Sequence, residues 1–150
     1  MKSEVERIES NTFRAKSPLF CLSKELKVLL EDASRRSETG SSRICLHANT
    51  NEKTQNMIIY IQPNNEFYLH KHPTGKMETY TVIEGVLFIE IYPEGIEKES
   101  VILKLTSENS PYYHTGGIAH RPYTLGKHCL YQEVYHGTFK RDVDVIRVAR

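Results

Sequence analysis

His70-Lys71-His72-Pro73-Thr74-Gly75-Lys76-Met77-Glu78, running on through Tyr80 and Val82 to Gly85, is the stretch that decides the fold. In extended backbone, successive side chains point to opposite faces, so His70 and His72 face one way and Lys71 the other. Pro73-Thr74-Gly75 marks a turn, because proline presets its own φ and glycine tolerates a positive one. Glu78 enters the next strand with Tyr80 and Val82 on its own face, and Gly85 closes a tight turn into Val86. Further on, Thr115-Gly116-Gly117-Ile118-Ala119-His120 is a glycine turn that delivers another histidine onto a later strand. Two imidazoles on one strand face, a carboxylate from the next strand and a third imidazole from a distant one can converge on a single ion. The candidate metal ligands are His70, His72, Glu78 and His120.

The rest of the chain supplies the frame. From Ser23, apolar positions Leu26, Leu29, Leu30 and Ala33 recur at three and four, with Ser23 suited to the N-cap and Arg35 and Arg36 to the C-terminus. This predicts one amphipathic helix over 24–36. Gly40-Ser41-Ser42 then breaks the chain, and from Arg43 onward the signals are short strands and turns. Strands are expected over 44–47, 56–62, 66–71, 79–84, 86–92, 100–105, 111–114, 121–124, 128–135 and 143–148. Their density reads as an all-β sandwich or barrel. The expected organisation is an N-terminal arm and helix over 1–40, a β-barrel over 41–139 and a tail over 140–150 holding a possible edge strand.

Composition narrows the function. Lys and Arg total 20 against 19 acidic residues in 150, a balance that argues against an electrostatic nucleic-acid binder. Lys2, Glu4, Glu6, Arg7 and Glu9 leave no apolar signal segment at the start, and no apolar run reaches the length of a membrane span. Three cysteines, Cys21, Cys45 and Cys129, are an odd number without CxxC spacing, which fits free thiols in a reducing compartment. A cytoplasmic protein with neither nucleic-acid nor membrane partners is expected. All nine tyrosines lie at or after Tyr60, so a site built on aromatic residues belongs to the later two-thirds.

Residues 70 to 85 resemble the first motif of the cupin superfamily, which runs HxH, a short spacer, Glu, six residues and Gly. The spacer from His72 to Glu78 is five residues, a little longer than usual. Residues 115 to 124 resemble the second motif, PxGxxH followed by Asn: Gly117 and His120 match, while Thr115 stands for the proline and Thr124 for the asparagine. Arg43-Ile44-Cys45-Leu46-His47, Gln55, the HxHP of His70 to Pro73 and Glu133-Val134-Tyr135-His136-Gly137 resemble the WbuC-type cupin-fold metalloproteins, often encoded with surface-polysaccharide biosynthesis enzymes. That similarity covers roughly 22–139; Cys45 departs from it, standing where an asparagine is usual. The resemblance implies an all-β cupin double-stranded β-helix, a jelly-roll barrel, with one N-terminal α-helix. It further implies one divalent transition metal ion and a small polar ligand contacted by Arg43 and Gln55.

Three imidazoles and a carboxylate suit Fe, Mn, Zn, Ni or Co in the divalent state. An octahedral ion would keep two positions open, whereas tetrahedral zinc would be filled. Because histidine binds as neutral imidazole, the metal should be lost below about pH 6.

Around the ion, Tyr68 and Tyr80 share strand faces with His70 and Glu78 and are expected to point into the barrel, as substrate contacts or as core aromatics. Arg43 can grip a carboxylate or phosphate, and His47 should face the same way from the same strand. Glu133 is a candidate general base if the face it shares with Tyr131 and Tyr135 is the inner one, which periodicity leaves open. His114 reads as a neighbour of the shell or as a solvated loop histidine. Cys45 and Cys129 read as buried small hydrophobes. The catalytic candidates are therefore Glu133, His47 and Tyr80, and the substrate-binding candidates Arg43, Gln55 and Tyr68.

Three functions compete: a metal-dependent isomerase or epimerase acting on a small carbohydrate or nucleotide-sugar, an Fe(II) dioxygenase, and a non-catalytic sugar- or metabolite-binding cupin. A homodimer, formed through residues 143–148, is expected because exposed edge strands need cover.

Overall fold

Residues 4–149 are described by the computed structural model. Helix α1 spans Lys24–Arg35, and the Ser23 side chain caps it by accepting the Leu26 N–H at 3.2 Å. Among the described residues there are twelve strands: β1 Val5–Glu9, β2 Thr12–Ala15, β3 Ser41–Cys45, β4 Thr54–Ile61, β5 His70–Lys71, β6 Met77–Gly85, β7 Leu87–Tyr92, β8 Val101–Leu105, β9 Tyr112–Thr115, β10 Ala119–Tyr123, β11 Cys129–His136 and β12 Ile146–Arg147. A short helical turn, α2, covers Arg141–Asp144. The strands form a seven-stranded sheet in the order β1-β2-β3-β4-β11-β6-β9 and a five-stranded sheet in the order β12-β5-β10-β7-β8.

Period-two alternation on β4 explains why this barrel has two cores. Ile59 and Ile61 point between the sheets, where they pack with Val82, Leu87, Ile89, Leu105, Cys129 and Tyr131. Ile58 and Tyr60 point to the opposite face, where they join Ile44, Leu130, Val5 and Phe13 beneath Leu26, Leu30 and Ala33 of α1. The helix thus covers the outer face of the larger sheet and leaves the barrel interior to side chains from the strands. Ser42 ties it there by donating to the Leu30 carbonyl at 2.6 Å.

Directly opposed residues of an antiparallel pair share a face, and the register builds successive inward rows. Arg43 opposes Ile59, which opposes Tyr131, which opposes Val82. Cys45, Met57, Glu133, Tyr80 and Tyr112 form the next row, and Gln55, Tyr135, Glu78 and His114 the one after it. Polar groups therefore accumulate toward one end of an otherwise apolar barrel.

The structure departs from expectation at both ends. The arm contains a hairpin, β1–β2, that extends the larger sheet through parallel pairing of β2 with β3. Only Val5 of β1 is buried, so the strand is held by backbone pairing and leaves almost no apolar alternation to read. In the tail, Val143 belongs to the helical turn, and the strand is limited to Ile146 and Arg147, which pair with β5 at the sheet edge. The expected strand over 66–71 shortens to His70–Lys71. Residues 1–3 of the arm and 150 of the tail lie outside the described residues. Among the described residues, no helix is long and apolar enough to cross a membrane.

Candidate metal centre

Each element brings one or two donors to the polar end of the barrel. β5 supplies His70, with His72 just beyond it; β6 supplies Glu78; β10 supplies His120, which lies directly across from His70. The longer spacer does not displace Glu78. Pro73 to Lys76 close into a turn, with Lys76 N–H on the Pro73 carbonyl at 3.2 Å, and the slack is taken up there. Gly116 packs against that turn, where a Cβ would collide with the Pro73 oxygen, and the Gly117 N–H donates to the His72 carbonyl at 2.7 Å. The two glycine-bearing motifs are thereby locked together.

Backbone carbonyls set the tautomers. His70 Nδ1 lies 2.9 Å from the Tyr68 oxygen, His72 Nδ1 2.5 Å from the Asp144 oxygen, and His120 Nδ1 3.1 Å from the Ile118 oxygen. A carbonyl can only accept, so each Nδ1 carries the hydrogen and each Nε2 presents its lone pair. Glu78 Oε2 sits 3.1 Å from His72 Nε2 and 3.0 Å from His120 Nε2. These two nitrogens are buried and meet no aligned hydrogen-bond partner. Lone pairs facing a carboxylate without an intervening proton are an arrangement that a cation relieves. Donors about 2.1 Å from an octahedral ion are about 3.0 Å apart in cis positions, which is the spacing seen. The donor set therefore fits a divalent transition metal, with His70, His72 and His120 within 4.8 Å of one another.

His114, expected as a shell neighbour or a solvated histidine, is 4% exposed on β9 with its Nε2 3.2 Å from Glu78 Oε2. Tyr80 is fully buried and donates to Glu78 Oε2 at 2.8 Å, so its hydroxyl holds the carboxylate. Glu133 lies on the inner face with Tyr131 and Tyr135, which settles the open question of its direction: Leu130 occupies the outer face under the helix. Tyr131 Oη approaches Glu133 at 3.5 Å.

The two carboxyls are driven apart in protonation. Burial raises Glu78, but the imidazoles of His114, His120 and His72 outweigh it and hold the carboxyl well below its ordinary range. Burial and the nearby Glu78 charge push Glu133 well above its own, against the pull of Arg43. Burial, with His120 beside it, lowers His70 to about 4. Burial also opposes the charged form of His72, yet contact with Glu78 reverses this and the net shift is upward. As the pH falls, His72 therefore takes up its proton before His70, which stays available to the metal until near pH 4. Metal binding at a pH low enough for His72 to be charged should release its proton. Calorimetry in buffers of different ionisation enthalpy would show it, and a buffer-independent heat would count against it.

The other candidates scatter. Arg43 points inward one row from Glu133. Gln55 is buried, but its amide donates to the carbonyls of Thr50, Glu52 and Gly137 at 3.3, 2.9 and 3.4 Å, which makes it a clasp between loops. β3 ends at Cys45, so His47 lies beyond the strand; its Nδ1 accepts the Asn56 N–H at 3.0 Å, away from the cluster. Tyr68 does not enter the barrel. It precedes the shortened β5, is 40% exposed, and packs against His70 with the Arg147 guanidinium 4.1 Å above its ring. Cys45 and Cys129 are buried, with burial raising both thiols, Cys129 to about 12; Cys21 is exposed.

Sequence reasoning missed Asp144. Its backbone oxygen meets His72, and its carboxylate accepts from Tyr135 Oη at 2.5 Å and from the Lys140 N–H at 2.6 Å, with Lys76 Nζ at 3.5 Å. A contact made through a carbonyl leaves no residue-type signal.

Solved structures share this architecture. A single-residue variant of oxalate decarboxylase from Bacillus subtilis aligns with a TM-score of 0.54 at 19% identity, over 63% of this chain and 24% of that one. The capsular polysaccharide assembling protein CapF from Staphylococcus aureus aligns with a TM-score of 0.59 at 15% identity, over 73% and 32%. Another Bacillus subtilis oxalate decarboxylase structure, from work on its Mn(II) centres, aligns at 0.54 and 18% identity, over 65% and 24%. The chain spans about a quarter to a third of these proteins, and the likeness shows the fold, a cupin barrel. No curated protein matches the chain. Residues 22–102, more than half of the chain, match the model of a family described only as a domain of unknown function (DUF6016), and to that family the protein belongs.

Proposed function

We propose that the protein is a metal-dependent cupin that moves a proton on a small polar carbohydrate or nucleotide-sugar, in the manner of an isomerase or epimerase. The placement of Glu133 carries this reading: it is an interior carboxyl that lies directly across from Tyr80, one row from the metal-facing Glu78, and burial favours its protonated form. A bound divalent ion would supply a Lewis acid that polarises a carbonyl. Glu133 then gives or takes the proton at the adjacent carbon, Arg43 in the neighbouring row orients a hydroxyl or anionic group, and Tyr80 holds Glu78 in place. The carbohydrate class draws support from the WbuC-type resemblance and from a fold neighbour concerned with capsular polysaccharide assembly. The buried free thiols agree with a cytoplasmic location, and exposed Val143 and Ile146 beside the open edge of β12 agree with a homodimer.

The test is deuterium wash-in from heavy water, followed by NMR, on metal-loaded protein with a panel of keto- and aldo-sugars and nucleotide-sugars. Exchange should appear at the carbon next to the carbonyl, and Glu133→Gln should slow it about 100-fold or more with metal content unchanged. Ligand binding without exchange for every sugar would replace this reading with the non-catalytic one.

A further inference from the structure

We infer that His114 is a fifth protein donor to the ion held by His70, His72, Glu78 and His120, so that an octahedral ion keeps one position, not two, for a substrate oxygen. The inference rests on the metal reading and sharpens it. His114 Nε2 stands 3.2 Å from Glu78 Oε2, beside 3.1 Å for His72 and 3.0 Å for His120, all close to the ~3.0 Å expected between cis donors on one ion. Glu78, His114 and His120 form a second compact donor set that shares His120 with the first.

The placement of His114 is built into the fold. It is the direct cross-strand partner of Glu78, its ring centroid lies 4.0 Å from that of His120, and it is 4% exposed. Neither ring nitrogen has an aligned hydrogen-bond partner. A histidine serving only to steady Glu78 would donate a well-directed hydrogen bond to it, and a packing residue would not leave both nitrogens buried and unmet.

Five protein donors change what the site can do. A substrate binds through a single oxygen, and the ion then has no second position for dioxygen beside it, which weighs against the oxygenase alternative. His114 also lines an open cleft of about 310 Å³ with Ile91, Leu103, Tyr112, Tyr113 and Ile118. The imidazole thus stands between the cleft and the ion, and shortening it should let a further water reach the metal.

The decisive experiment loads the full chain with Mn(II) and counts exchangeable inner-sphere waters from the field dependence of water-proton relaxation. One water is expected in the wild type, and two in His114→Ala with about 100-fold weaker Mn(II) binding. Two waters in the wild type would overturn the inference and leave the metal reading intact, and this count decides the matter even if the variant fails to fold. A wild-type chain that takes up no Mn(II), Fe(II), Co(II), Ni(II) or Zn(II) would instead remove the metal reading itself.

Discussion

His120→Ala is expected to abolish stoichiometric metal binding, raising the dissociation constant by more than about 100-fold. His120 is fully buried and belongs to both donor sets, with its ring 4.4 Å from that of His70, 5.3 Å from His72 and 4.0 Å from His114. Loss of a hydrogen-bonded partner behind a ligand already costs roughly 10–100-fold in affinity, so loss of a donor shared by both sets should exceed that range. The consequence also appears in stability. A ligand that binds only the folded state adds about 2.7 kcal/mol at roughly 100 times its dissociation constant. The wild type should therefore melt at a higher temperature with metal than without, and His120→Ala should show no such difference. His128→Ala is the matched control, because that histidine stacks on Tyr60 beneath the helix, outside the cluster. If His120→Ala kept its metal at wild-type affinity, the assignment of the centre would be wrong.

How far the site could be read in advance depended on whether its information lay in residue type or in three-dimensional pairing. The alternation of His70 and His72, Glu78 on the next strand and the glycine turn before His120 were all legible, because strand parity and turn chemistry act locally. The helix was legible for the same reason, down to the Ser23 cap. Tyr68 was misplaced because parity was extended through 66–69, where the chain is not a regular strand and the Tyr68 carbonyl turns to meet His70. For His114, choosing between a neighbour of the shell and a solvated loop histidine required knowing that β9 pairs with β6 in the register that sets it against Glu78. That register is a long-range fact, and a four-residue strand beside a glycine turn gives periodicity too little length to declare it. Glu133 shows the converse. Both faces of β11 are apolar, one toward the barrel and one toward α1, so alternation was present but could not say which face was the inner one.

Removing the tail after Phe139 is expected to weaken metal binding about 10–100-fold while the barrel stays folded. The Asp144 carbonyl fixes the tautomer and ring direction of His72, and outer partners of a ligating histidine typically carry that much affinity. The tail holds this carbonyl at several points. The Asp144 carboxylate is bound by Tyr135 and by the Lys140 N–H, β12 pairs with β5 at His70 and Lys71, and the Val148 N–H donates to the Leu69 carbonyl at 3.1 Å. Both histidines of the HxH pair are thus braced by residues that the barrel core does not contain, since the core between the sheets is built from β4, β6, β7, β8 and β11. Circular dichroism should accordingly report retained sheet structure in the truncated chain. Asp144→Ala separates the two contributions: it keeps the backbone oxygen but deletes the side-chain anchor and leaves the buried Tyr135 hydroxyl without its acceptor. Its metal affinity should fall between those of the wild type and the truncation. A truncated chain that binds metal as tightly as the intact one would show that His72 needs no orientation from the tail.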